Sequence, residues 1–328
     1  MRKLLGAVLG ATVLAATAAC GGGADSADIG SGKAGAVETA TLQVGLVPVV
    51  NVAPLYLGVK QGFFKEAGLE LKPRIAQTFA ANVATVVNGE NQIGFGATVP
   101  LVVAIGSNVP IGLVANSDVV GAPPDGDNSG LFAAKGTTIT SISDLEGKTV
   151  AINALSNVHD VAIKSAMLKA GADPSKVKFL EVALPDMVAA LQTKRVDAIA
   201  VGEPFVTAAK AAGFAQVLYT YKEGYAAGTP IGSYFASKQF ASKNPNTIKA
   251  FQTALAKSVD YAKAHPDEAR AVMKEYTQIP PATLEKVTLG TYDSAIDDGS
   301  IDALVKLMTQ TGTIKNGVPA NKIVLARP

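Results

Sequence analysis

From Thr41 onward, short runs of β-branched and apolar residues alternate with longer stretches whose apolar positions recur every three to four residues. Runs of the first kind suit buried strands and those of the second suit helices with one buried face, so their alternation predicts an α/β protein with mainly parallel sheets flanked by helices. Leu42 to Val47 reads as a strand, and Val52 to Glu66 as a helix with Val52, Leu55, Tyr56, Val59 and Phe63 on one face. Pro54 falls in its first turn, where no helical donor is lost. Gly68 closes that helix and Leu69 to Ile75 is the next strand. Ala81 to Asn88 is then a helix stopped by Gly89, Gln92 to Gly96 a strand, and a further helix begins near Thr98.

The order recurs in the second half. Lys148 to Asn153 is a strand, Asn157 to Ala170 a helix closed by Gly171, and Lys178 to Val182 a strand. Asp186 to Lys194 is a helix, Asp197 to Val201 a strand, and Pro204 opens another helix. Residues 86–96 and 190–200 read as counterparts, which predicts two similar lobes. From Asn244 the pattern is helical: Pro245 to Ala264, Asp267 to Tyr276, Pro281 to Gly290, and Ile301 to Gln310 capped by Ser300. The Gly- and Pro-rich stretches 121–130 and 224–232 read as an outward and a return crossing. Residues 40–129 with 231–328 are accordingly assigned to one lobe and 130–230 to the other, a two-lobed arrangement able to close like a jaw on a shared cleft.

The N-terminus adds a location. Arg2 and Lys3 precede an apolar run, Leu4 to Ala16, and then small residues, the order of a secretory signal peptide over 1–19. The run is shorter than the ~20 residues of a spanning helix. Cys20 is the only cysteine, so no internal disulfide is available, and its place directly after Thr17-Ala18-Ala19 resembles a bacterial lipobox, in which the cysteine is acylated. Residues 20–39 then read as a flexible, lipid-anchored tether rich in Gly, Ala and Ser. This places the chain at the extracytoplasmic face of the membrane. Loss of Arg2 and Lys3 takes the 29 basic residues to 27, equal to the 27 acidic ones, and a neutral surface argues against a nucleic-acid partner. Two histidines and one cysteine make no metal cluster, and no cofactor is expected.

The run from Pro54 to Leu69 (PLYLGVKQGFFKEAGL) resembles the opening signature of the substrate-binding proteins of nitrate, sulfonate, taurine and thiamine-precursor importers. Asn88-Gly89 with Ile93-Gly94, the stretch Ser143 to Ala151, and Val196-Asp197-Ala198 leading to Glu203-Pro204 look like the same family in the same order. The resemblance implies a type II periplasmic-binding fold and a monomer serving an ABC permease and its cytoplasmic ATPase. The implied task is capture of a small organic anion, sulfonate- or taurine-like first, with no catalysis. The same fold also carries thiamine-precursor binding proteins and pyrimidine-synthase enzymes. A cysteine-rich motif marks those enzymes, and no internal cysteine exists here to supply one. Presentation of ligand to a membrane sensor is a further alternative.

Ligands of open α/β sheets bind beyond the carboxyl ends of strands. Four such loops nominate Asn51, Thr98, the pair Asn153 and Asn157 with Ser156 between them, and Glu203. Ser156 and Asn157 suit a helix N-cap whose free amides and dipole favour an anion, and sulfonate binders of the family use a matching turn there. The alternative is that Ser156 only caps its own helix. Thr98 follows the small residues Gly94-Phe95-Gly96-Ala97, which allow close approach, and Asn51 either bonds solute or stabilises its loop. Glu203, from the Glu-Pro pair, suits a ligand amine, or else caps its helix in solvent. His159, one turn beyond Ser156, reads as a packing or rim residue, because a Ser156-His159-Asp160 relay does not fit one helical turn.

Overall fold

The computed structural model describes residues 36–76, 78–121 and 127–327. The expected signal peptide, Cys20 and most of the expected tether lie outside them. The chain first lays down β1 (Thr41–Leu46), β2 (Glu70–Ile75), β3 (Ile93–Ala97) and β4 (Ile111–Val119). It then makes a second sheet from β5 (Ser129–Ala133), β6 (Thr149–Ile152), β7 (Lys178–Glu181), β8 (Ala198–Gly202) and β9 (Ala215–Leu218), and returns to the first with β10 (Pro230–Ser237) and β11 (Thr291–Tyr292). The orders are β11-β4-β10-β3-β1-β2 and β7-β6-β8-β5-β9.

The internal repeat is visible in those orders. Each sheet has a parallel trio in the spatial order second, first, third (β2-β1-β3 and β7-β6-β8), with one antiparallel strand beside the third, β10 in one and β5 in the other. The sheets are therefore mixed rather than mainly parallel. Helices connect the parallel strands, and the loops they enter stand at the carboxyl ends of β1, β3, β6 and β8.

Local differences from the sequence reading have local causes. The first helix runs Ala53–Lys60 and stops because Gly62 turns left-handed at φ +81°, so Phe63–Glu66 forms a separate turn. The last long helix, Asp298–Gln310, is capped not by Ser300 but by Asp297, whose carboxylate accepts the Ser300 amide at 2.7 Å. Pro281–Leu284 is a single turn, and Gly290 lies beyond it against the Asn128 and Asp118 side chains. β4 and β10, both almost wholly buried, were not expected from the pattern at all.

Pro245–Ala264 presents Ile248, Phe251, Leu255 and Val259 to the first sheet and to Ala53–Lys60, burying each almost completely. At about 1.5–3 kcal/mol per large side chain, this stripe anchors the helical C-terminal part. Where the chain crosses between the sheets, Asp127 accepts the amides of Ser129 and Lys222, each at 2.8 Å, and so ties the outward segment to the return. The return carries the short helix Thr220–Gly224, which packs on Val158–Lys169. Tyr225 Oη donates to Val158 O at 2.6 Å and Ser165 Oγ to Gly224 O at 2.6 Å.

At Gly224 the approach is closest: a Cβ there would lie 2.4 Å from Ala162 Cα. Gly224→Ala is therefore expected to force the two helices apart and to cost about 1–3 kcal/mol. A urea melt would show this as a lowered midpoint. An unchanged midpoint would mean that the helices separate without loss.

Candidate functional site

Asn51 sits in the single 3-10 turn Val50–Val52 that follows β1, held from the side of β4. Its Nδ2 donates to Asp118 Oδ2 at 2.6 Å and its carbonyl accepts Ser117 Oγ, while Tyr292 Oη donates to Val50 O at 3.1 Å. Thr98 is fully buried at the first residue of Thr98–Gly106. Its Oγ1 lies 2.8 Å from Ser233 Oγ, which donates onward to Asn116 Oδ1 at 3.1 Å, so the Thr98 hydroxyl is the donor to Ser233. Ala97 brings no side-chain cap to this helix.

Asp118, absent from the sequence-based candidates, is the centre of this wall. It is 1% exposed near the end of β4, paired in register with Gly232 of β10, which in turn pairs with Ala97 of β3. A Cβ on Gly232 would come within 2.9 Å of Asp118 Oδ1, and one on Gly290 within 3.2 Å of Oδ2, so both glycines are needed to seat the carboxylate. Burial pushes its pKa up to about 7, against the Asn51 side chain, the Gly232 backbone and the Asn128 side chain, which favour the charged form. Among the described residues Oδ1 nevertheless has no partner with hydrogen-bond geometry.

The remaining candidates of the loop after β6 lie on the second sheet. Asn153 Oδ1 accepts Asn157 Nδ2 at 2.8 Å. Ser156 is left-handed at φ +52° and does not cap the helix. Asn157 does, in a reciprocal box with Asp160. The amides of Ser156 and Asn157 go to the Asp160 carboxylate at 2.9 and 3.1 Å, and that of Val158 to Asn157 Oδ1 at 2.7 Å. Amides expected to be free for an anion thus serve the chain's own groups. Asp160 itself is buried, which raises its pKa, with Lys164 Nζ at 3.6 Å opposing the rise.

His159 is buried and stacks on Tyr221 with ring centroids 5.2 Å apart. Burial lowers its pKa to about 4, so the ring is neutral, and its Nδ1 has no partner among the described residues. Glu203, at 2% exposure, is not a solvent cap. Its Oε1 accepts Thr207 Oγ1 at 2.8 Å and the Thr288 amide at 3.1 Å, and its Oε2 the Thr207 amide at 3.0 Å. Burial raises its pKa despite these donors. Because Thr288 precedes β11 and Glu203 follows β8, the carboxylate joins the two sheets.

Asp118, Asp127, Asp160 and Glu203 are all buried, and among the described residues no lysine or arginine is. Nor, among the described residues, do three or more metal-ligating side chains gather in one place. The arrangement therefore offers carboxylates, amides, hydroxyls and tyrosine faces. The one buried imidazole, His159, has the Tyr221 hydroxyl 3.5 Å from its Nε2.

The family model described as NMT1/THI5 like matches residues 49–269. The taurine-binding periplasmic protein of Escherichia coli K12 is 28% identical over 80% of this chain and 77% of its own length. A nitrate/nitrite binding protein of Nostoc is 23% identical over 71% of this chain, which spans 56% of that relative. The solved alkanesulfonate-binding protein of Xanthomonas axonopodis pv. citri, bound to MOPS, superposes with a TM-score of 0.73 at 16% identity, covering 88% of this chain and 99% of that one. With two repeat-related α/β sheets joined by paired crossings, and the family model spanning most of the described residues, the chain belongs to the NMT1/THI5-like family.

Proposed function

We propose that this chain is an extracytoplasmic solute-binding protein that traps a small sulfonate, taurine-like first, between two lobes and passes it to an ABC permease driven by a cytoplasmic ATPase. The lobes are residues 40–129 with 231–328 and residues 130–230, and acylated Cys20 holds the protein at the membrane. It carries out no chemistry on its solute. One observation bears most of this reading: polar groups from the first sheet and from the helices Val158–Lys169 and Thr220–Gly224 are buried along one seam, where Tyr221 lies in the field of Asp118, and several of their atoms are unpartnered. Asp118 Oδ1, Tyr234 Oη, Thr220 Oγ1 and His159 Nδ1 are buried without a partner among the described residues. Buried polar atoms are seldom left unpaired, so such a group marks where a solute or water binds. The taurine- and nitrate-binding relatives support the solute class.

Asn51 and Thr98 line one wall of this site, and Asn153, Ser156 and Asn157 the other. Because Asp160 fills the amides at Ser156, the anionic end of the solute belongs at the turn Ala97–Thr98, whose helix lacks a side-chain cap. A thermal-shift panel of taurine, an alkanesulfonate, nitrate and an aminopyrimidine tests this. A sulfonate present at 100 times its Kd stabilises the protein by about 2.7 kcal/mol, which raises Tm by about 5 °C. Absence of any shift, or consumption of the solute during incubation, would contradict the proposal.

A further inference from the structure

We propose that Asp118 pairs with a protonated amine of the solute, so that the solute is an aminosulfonate-like zwitterion and not a plain alkanesulfonate or nitrate. The inference deepens the reading above and rests on it. Three features of Asp118 carry it. Its carboxylate is almost completely inaccessible, yet one oxygen is unpartnered among the described residues, which is costly unless something else binds there. It is also a built position: Gly232 and Gly290 clear space for its oxygens, and Asn51 orients Oδ2 at 2.6 Å, leaving Oδ1 for another donor.

The third feature is its surroundings. The groups facing Asp118 are Asn51, Asn128, the Gly232 backbone, and the phenols of Tyr221, Tyr234 and Tyr292. Tyr221 also lies within the field of Asp127. None of these is a cation, and Arg270, whose field reaches Tyr292, is not among the groups acting on Asp118, whereas tyrosine faces attract ammonium groups. A solute carrying only negative charge would be repelled by a buried carboxylate with no countercharge, and a zwitterion would supply the countercharge itself. Asp118 and Ala97 flank Gly232 in one register row, so roughly two strand spacings, about 10 Å, separate their backbones, with Asp118 Oδ1 and the edge of the Phe95 ring over Gly232 between them. A short molecule with an amine at one end and an acid at the other spans that interval.

Calorimetric titration of taurine, ethanesulfonate and nitrate into the native chain and Asp118→Asn at pH 8 tests the assignment, with near-ultraviolet circular dichroism confirming the fold of the variant. The native chain is expected to prefer taurine over ethanesulfonate by about 100-fold, and the variant to lose that preference while still binding ethanesulfonate. In the native chain taurine affinity should fall up to about tenfold per pH unit below pH 7 as Asp118 takes up a proton, and in the variant it should not. Equal binding of taurine and ethanesulfonate by the native chain, or a preference that survives in Asp118→Asn, overturns the assignment while leaving solute capture intact. Failure of the native chain to bind any of the three overturns both.

Discussion

At pH 8, Asp118→Asn is expected to leave the solute-free protein about 2–4 kcal/mol more stable than the native chain. The native carboxyl titrates near pH 7 in the fold, roughly three units above its ordinary value of 3.8, chiefly because it is buried. Each unit corresponds to about 1.4 kcal/mol, which sets the upper end of the range. The folded state holds an extra proton between pH 4 and 7, so this group's contribution is complete below about pH 4 and is lost as pH rises through 7. An amide does not titrate. The variant's advantage is therefore absent at pH 4 and full above pH 7.

His159 runs the other way. Its folded pKa of about 4 lies below the ordinary 6.5, so its contribution is complete above 6.5 and is lost as pH falls toward 4. In the native chain the two slopes oppose each other between pH 4.5 and 6.5. In Asp118→Asn one opposing slope is gone while the buried Asp160 and Glu203 carboxyls still oppose the histidine, so stability should climb with pH more steeply than in the native chain, by at most about 1.4 kcal/mol per unit. Urea melts of both proteins from pH 4.5 to 8 measure this. A variant that is less stable at pH 8, with an unaltered pH profile, would mean that the carboxylate is paired in the fold after all.

Glu203→Ala is expected to cost about 3 kcal/mol, because it leaves the buried Thr207 and Thr288 amides without their acceptor and opens a small cavity. Glu203→Gln keeps the volume but turns an amide NH2, itself a donor, toward donors, and is expected to cost about 1–2 kcal/mol. Since the carboxylate joins the end of β8 to the segment before β11, its loss also favours separation of the sheets. Solute affinity is therefore expected to fall at least about tenfold together with stability. Urea midpoints and titration calorimetry on the same samples separate the possibilities. Affinity lost at unchanged stability would assign Glu203 to the solute directly.

The parallel framework was legible because its central strands place β-branched and other apolar residues at their buried positions and its helices show one stripe. Val44 and Leu46, or Val150 and Ile152, cannot be mistaken for a loop. β4 and β10 were not legible, for a reason tied to function. Asn116, Ser117 and Asp118 interrupt the first, and Pro230, Gly232 and Ser233 the second, so both look like turns although almost every one of their residues is buried. Polar residues at core positions break the local pattern where a site is built. Asp118 was missed with its strand. The run of polar residues Asn116, Ser117 and Asp118 directly after the apolar stretch Ile111 to Ala115 was the available signal.

The nominated residues fared differently for equally local reasons. Asn51 and Thr98 both reach polar side chains of β4, Asn51 bonding Asp118 and Thr98 reaching Asn116 through Ser233, because both follow parallel strands of one sheet. Ser156 lost its expected capping place to Asn157 because Asp160, three residues beyond Asn157, completes a capping box with it. Sequence spacing contained that box, but the Ser-Asn pair allowed two frames and only the left-handed backbone at Ser156 selects one. Glu203's link to Thr288 joins residues 85 apart, a pairing no local pattern reports.

Solute capture at the seam is tested most directly by amide hydrogen exchange with and without the solute that raises Tm most, followed by recovery of that solute. Protection is expected at Val49–Asn51, Ala97–Thr98, Ser117–Asp118 and Ile231–Ser233, with the solute returned unchanged. Protection confined to the surface groove around Asp267, Lys274 and Glu285, or a chemically altered solute, would contradict the account.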